Sequence, residues 1–312
     1  MIKVDRLIKN YGNFEAVKNI SFEVNDGEIL GFLGANGAGK STTLKVMTGY
    51  LSPTHGNIYV NDLNIIDHSI EIQKQIGYLP ELNPLYGDMI VYDVLQFTAS
   101  MRGITGSNFN DALDRVVSDC TLNSVVHKKV SECSKGFKQR IGLACAMIHD
   151  PEILILDEPV SGLDPNQIIE IRELIKRIGK EKIVIMSSHI LQEIQATVDR
   201  IIIINQGEIV ADGSPDKLVS SGKGVNKLEL EISGVTIKEA RLIEKSIDGM
   251  LISDISRSKG MVKALIEYDN KLDLRSDIFK YAVKHNWILL KMNPISENLE
   301  GIFRELTSSS HE

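Results

Sequence analysis

One stretch constrains this chain more than any other: Gly34-Ala35-Asn36-Gly37-Ala38-Gly39-Lys40-Ser41. It fits the pattern GxxxxGK[ST] at every defined position. It lies between an apolar run, Ile29 to Leu33, and a segment of helical spacing, residues 42–49. Glycines at these positions let the backbone curl so that successive N–H groups point inward, and a helix beginning near Gly39 adds about half a positive charge at its tip. A loop built this way takes phosphate. Lys40 is spaced to reach the β- and γ-phosphates of a nucleotide, and the Ser41 hydroxyl to hold Mg²⁺. A glycine turn without chemistry would need neither side chain, nor both flanking elements.

The rest of residues 1–213 agrees with a sheet that can carry such a loop. Ile76 to Leu79, Ile153 to Asp157, Ile183 to Met186 and Ile201 to Ile204 are short apolar runs rich in β-branched residues, several of them followed by helical patterns. That order predicts a largely parallel sheet with helices on its faces. Residues 2–9 and 16–24 alternate in polarity about the turn Asn10-Tyr11-Gly12-Asn13, which predicts an antiparallel sub-sheet. Between about 88 and 150 the spacing is helical, in segments 89–102, 109–120 and 136–149, and predicts a helical insert. Gly213-Ser214-Pro215 and Ser220-Ser221-Gly222-Lys223-Gly224 mark a boundary, so the expected domains are 1–215 and 225–312. The second reads strand 227–232, helix 236–246, strands 250–257 and 261–268, helix 274–285, strand 287–292 and helix 296–306. That is the order of a small ferredoxin-like α+β domain, with Trp287 as a core residue.

The run Ile153-Leu154-Ile155-Leu156 ends in Asp157-Glu158. A buried strand carries these acids to the carboxyl edge of the sheet, where α/β folds bind ligands. Asp157 would orient Mg²⁺ through its water shell, and Glu158 would accept a proton from an attacking water. Strand alternation would turn the two side chains to opposite faces. By itself the pair would read sooner as two solvated loop acids; the phosphate loop reverses that preference.

A further motif narrows the class. Ser134-Lys135-Gly136-Phe137-Lys138-Gln139-Arg140, one helix before the acids, resembles the signature of ABC ATPases. Cys133, Lys135 and Phe137 stand where that family usually has Leu, Gly and Gln. Read alone, the segment is equally a helix start capped by Ser134. Other residues follow in family order: Tyr11 at the aromatic A-loop, Glu81 where the Q-loop usually has Gln, Asp164 in the D-loop, and His189 at the switch histidine. The resemblance covers residues 1–213. It implies a P-loop core of the ABC type, with ATP held by Tyr11 and by Gly34, Ala35, Asn36, Gly37, Ala38, Gly39, Lys40, Ser41 and Thr42. It further implies Mg²⁺ at Ser41, Asp157 and Glu81, and catalysis by Glu158, His189 and Glu81. A second copy would close the site with Ser134, Lys135, Gly136, Phe137 and Asp164. The final 90 or so residues look like the accessory domain of drug- or ion-export ATPases. The stretches 77–86 and 162–167 most resemble the ATPase subunit linked to gliding motility.

The implied function is ATP hydrolysis, in a homo- or heterodimer, driving a separate membrane permease, with export as the expected direction. Composition bears on partners and place. The formal charge is −7, which disfavours nucleic acid as partner, and ribosome- or DNA-acting relatives carry two such domains or a coiled-coil arm. A small-molecule kinase would have no use for the signature or His189. Cys120, Cys133 and Cys145 are odd in number and lack metal spacing. The amino terminus has no apolar leader, and no apolar run approaches the ~20 residues of a membrane helix. The expected location is therefore cytoplasmic, on the inner face of the cell membrane.

Overall fold

The computed structural model describes residues 1–221, 225–258, 260–269, 272–295, 301 and 303. They divide into two compact units, Met1–Pro215 and a second that begins at Asp216.

The first unit opens with β1 (Ile2–Tyr11) and β2 (Phe14–Val24), paired antiparallel. β3 (Ile29–Leu33) then runs into α1 (Lys40–Met47). β4 (His55–Val60) and the short β5 (Leu63–Asn64) return to the hairpin, so the sub-sheet has the order β2-β1-β4-β5 and is larger than the expected two strands. After α2 (Ser69–Gln75) and β6 (Ile76–Leu79) come the insert helices α3 (Val91–Met101), α4 (Ser107–Asp119) and α5 (Lys135–Met147). The chain then alternates through β7 (Ile153–Leu156), α6 (Pro165–Ile178), β8 (Ile183–Ser188), α7 (Leu191–Gln195), β9 (Arg200–Asn205) and β10 (Glu208–Gly213), and α8 (Pro215–Ser221) starts at the last residue of this unit and continues into the second.

The central sheet has the order β10-β9-β3-β8-β7-β6, parallel except for β10. Every residue of β3, β7 and β8 is buried, which is why these strands read as unbroken apolar runs rather than alternating ones. Phe22 of the sub-sheet and Phe32 of β3 meet at 5.6 Å between ring centroids, in one core with Leu44 and Met47 of α1. Register sets the functional edge. Leu33 is level with Ser188, and Leu156 with Met186, so the turns after β3 and β7 emerge side by side, flanking the end of β8.

The second unit runs β11 (Val225–Ser233), α9 (Ile237–Arg241) with a 3₁₀ turn Leu242–Lys245, β12 (Met250–Ser258), β13 (Met261–Asp269), α10 (Arg275–Lys284) and β14 (Ile288–Ile295). Its antiparallel sheet has the order β12-β13-β11-β14, the connectivity of a ferredoxin-like βαββαβ unit. Leu228, Leu230, Ile232, Val262 and Ile266 face Ala240, Ile243 and Ile278 in its core, and Trp287 packs beside them. The expected last helix, 296–306, lies outside the described residues apart from Gly301 and Phe303. Among the described residues no helix is long and apolar enough to cross a membrane.

Candidate functional site

The phosphate loop rises from β3 and closes on Gly39, the residue before α1, at φ +108. A side chain there would be strained by the backbone and would also strike the Ala16 carbonyl, so glycine is required twice over. The close packing continues through Gly207, whose N–H donates to Ala38 O (2.9 Å) and whose carbonyl accepts from Lys18 N–H (2.8 Å). The outer hairpin is thereby fixed against the loop. Together they enclose a cavity of ≈ 330 Å³ lined by Tyr11, Phe14, Ala16, Asn36, Gly37, Gly39, Lys40, Ser41, Thr42, Glu81 and Glu158.

Lys40 is buried, and its ammonium donates to Gly34 O (2.8 Å) and Ala35 O (3.3 Å) and lies 3.5 Å from Glu158. Glu158 is buried too, with its second oxygen 2.9 Å from His189 Nδ1. Ser41 Oγ donates to Asp157 Oδ1 at 3.1 Å. Ser187 joins the two acids: its hydroxyl donates to Asp157 Oδ1 (2.6 Å) and accepts from the Glu158 N–H (2.9 Å).

The alternation argument for the acids does not hold. β7 stops at Leu156, and Glu158 turns through the left-handed region at φ +50. Both carboxylates therefore face the same cleft, Asp157 toward Ser41 and Glu158 toward Lys40. Below them on β6, burial raises the pKa of Tyr78, the nearby Asp157 charge raises it further, and its hydroxyl stays protonated.

The remaining sequence candidates divide into two places. Tyr11 and Glu81 line the cavity, while Gly34, Ala35 and Ala38 belong to the loop without lining it, the carbonyls of the first two accepting from Lys40. Ser134, Lys135, Gly136, Phe137 and Asp164 do not line it; they gather at the tips of α5 and α6. Ser134 caps α5 by accepting from Phe137 N–H (3.3 Å), and Asp164 caps α6 by accepting from Gln167 N–H (3.0 Å). The Gln167 side chain covers Gly136, and the Lys135 ammonium lies against Gly162.

Sequence reading missed Ser187, Phe14 and Ala16 at the cleft; only the Ser187-Ser188-His189 triplet held a hint. It also missed a link between the cleft and α5. Asn83, two residues after Glu81, donates to Lys138 O (2.7 Å) and rests on Gly142, where any side chain would overlap its amide. Gly142→Ala should therefore destabilise the chain by about 1–3 kcal/mol through overpacking. In an Asn83→Ala background the space is open, and the same change should gain up to about 1 kcal/mol of helix propensity. Chemical denaturation of the four-protein cycle checks the reversal of sign.

A phosphate loop facing a buried carboxylate pair, on a parallel sheet with an antiparallel sub-sheet and a helical insert, defines an ATP-hydrolysing nucleotide-binding domain. Residues 17–161 match the family model described as ABC transporter. The bacitracin transport ATP-binding protein BcrA of Bacillus licheniformis is 34% identical over 308 residues, covering 98% of this chain and 97% of that protein. The linearmycin resistance ATP-binding protein LnrL of Bacillus subtilis (strain 168) is 32% identical over 309 residues, 98% of each chain. Among solved structures, cbiO1 from Clostridium perfringens, titled as part of the ABC transporter complex cbiONQ, superposes with a TM-score of 0.64 at 26% identity. That match covers 70% of this chain and 90% of that one. The chain belongs to the ABC transporter family, among its ATP-binding subunits.

Proposed function

We propose that this chain hydrolyses ATP as one half of a two-copy sandwich and uses the cycle to drive a separate permease in an exporter. The observation that carries the reading is the placement of Glu158, buried between Lys40 and His189 beside the phosphate loop. Residues 1–215 act as the ATP-binding domain. ATP lies with its base near Tyr11 and its phosphates against Asn36, Gly37, Gly39, Lys40, Ser41 and Thr42. Water attacks the γ-phosphorus, its oxygen forming the new P–O bond as the bond to the β–γ bridging oxygen breaks. Glu158 takes the proton, ADP and phosphate leave, and His189 holds the Glu158 carboxylate in line while facing the γ-phosphate.

The donors present fit Mg²⁺. Ser41 and Asp157 offer hard oxygens in hydrogen-bond contact, and Glu81 faces the same cavity. Among the described residues no group of three or more His, Cys, Asp or Glu could hold a metal by itself, so phosphate and water oxygens would complete the shell. When bound, the ion neutralises charge on the phosphates. With Glu81 in place of a neutral glutamine, the site carries one more carboxylate for it to balance.

Ser134, Lys135, Gly136, Phe137 and Asp164 lie away from their own cavity, as groups that serve the nucleotide of a second copy would. The permease contacts the helical insert and the segment after Glu81, where Leu82, Tyr86, Phe97 and Met101 expose apolar side chains. The unit from Asp216 is an accessory domain, with two readings for its role: a regulatory or dimer-stabilising module, or a passive structural cap. Export follows from the relatives matched end to end, which are named for bacitracin transport and linearmycin resistance. Those names favour antibiotic export over the gliding-motility role that stretches 77–86 and 162–167 resemble. The protein then works in the cytoplasm, at the inner face of the membrane. Tagged chain purified from detergent-solubilised membranes should bring down one integral membrane protein that changes its ATPase rate. Recovery with ribosomes instead would overturn the permease reading.

A further inference from the structure

The hairpin that carries Tyr11 carries a second exposed aromatic ring. β1 and β2 are joined by the two residues Gly12-Asn13, with Gly12 at φ +58, and Tyr11 is registered directly opposite Phe14. In a two-residue hairpin the residues flanking the turn are cross-strand partners, and their side chains leave the same face of the ribbon. Both rings line the cavity whose other wall is the phosphate loop, from Gly37 to Thr42. Neither ring belongs to the core: Tyr11 is 48% exposed and Phe14 63%. Lys9 lies 5.6 Å from the Tyr11 ring centroid, whereas the Phe14 ring meets no other ring and no cation among the described residues. A phenylalanine this exposed at the rim of the cavity adds little to the core. It offers a flat apolar surface to the cavity that the phosphate loop also lines.

We propose that Phe14 is a second nucleobase platform, so that Tyr11 and Phe14 together hold the base of the bound nucleotide. The inference rests on the nucleotide reading above and adds a binding residue to it. The geometry explains why the hairpin end must be fixed. Ala16, two residues beyond Phe14, has its carbonyl against Gly39, and Lys18 is bonded to Gly207, so the ring's height above the phosphate loop is set by backbone contacts. A base seated there takes apolar surface, its own and that of both rings, out of water. Stacking of this kind accepts any base with a π-face, and its loss on truncation weakens binding by ~5- to 150-fold.

The test compares ATP with inorganic tripolyphosphate, which has the phosphates and no base, on the full chain by equilibrium binding. Phe14→Ala should weaken ATP by ~10-fold or more and leave tripolyphosphate unchanged, with Phe14→Trp restoring ATP affinity. Because the ring is exposed, the thermal unfolding midpoint without ligand should stay at the wild-type value. Wild-type ATP affinity in Phe14→Ala would overturn the proposal. So would an equal loss for both ligands, since Phe14 would then only support the loop. Failure of the wild-type chain to bind either ligand would instead remove the nucleotide reading on which the proposal rests.

Discussion

Replacing Glu158 by glutamine is expected to cut steady-state ATP turnover by ~10²- to 10⁴-fold, the range a lost general base produces, while ATP binding persists. The substitution keeps the shape and removes only the charge. Glutamine can still meet His189 Nδ1, now 2.9 Å from the carboxylate, and still fills the buried space beside Lys40. Lys40 loses its anionic partner in the free protein, yet gains the phosphates when ATP is present. The variant should therefore bind ATP at least as tightly as the parent. If two copies close over the nucleotide, ATP should then shift it from one copy to two on size exclusion, because the step that reopens the pair is blocked. Turnover equal to the parent would take Glu158 out of the chemistry. Blocked turnover without any ATP-dependent pairing would keep the base and discard the sandwich.

Lys40→Met should reduce ATP affinity by ~10²-fold or more, since hydrogen bonds to charged groups contribute about 1.5–3 kcal/mol each and the ammonium is spaced for two phosphates. The same change should destabilise the free chain. Glu158 is almost fully buried, and removing one partner of a buried ion pair leaves an uncompensated charge, a loss of up to about 3–5 kcal/mol. The two effects separate in the double variant Lys40→Met/Glu158→Gln. There the stranded charge is gone, so denaturant stability should return toward that of the parent, while ATP affinity stays low. Recovery of binding along with stability would mean that Lys40 served the fold and not the phosphates.

The cleft was legible in the sequence to the extent that its parts are local. The phosphate loop is a contiguous chain whose geometry depends on its own glycines and on the strand and helix at either end. The acids after Ile153–Leu156 are marked by the apolar run before them. The helical insert and the second unit showed in the period of apolar residues, because helices and two-layer sheets bury one face and expose the other. The outer hairpin showed in the same way. The two sides of the cleft differ in this respect, and Glu158 shows where local reading stops. Strand alternation assigned it the wrong face, since its direction comes from a left-handed turn held by Ser187, 29 residues away in sequence.

What the sequence determined by itself was thus the class of fold, the phosphate-gripping loop and the identity of the acids. These depend on neighbours in the chain and on which residues avoid water. The tertiary structure alone decided which side chains meet. It set Lys40 against Glu158, joined the two acids through Ser187, seated Asn83 on Gly142 and brought Phe14 to the cavity that the phosphate loop lines. Each of these depends on strand register and on one backbone approaching another across a glycine, and the partners are fixed only once the sheet order β9-β3-β8-β7 brings distant segments to one edge.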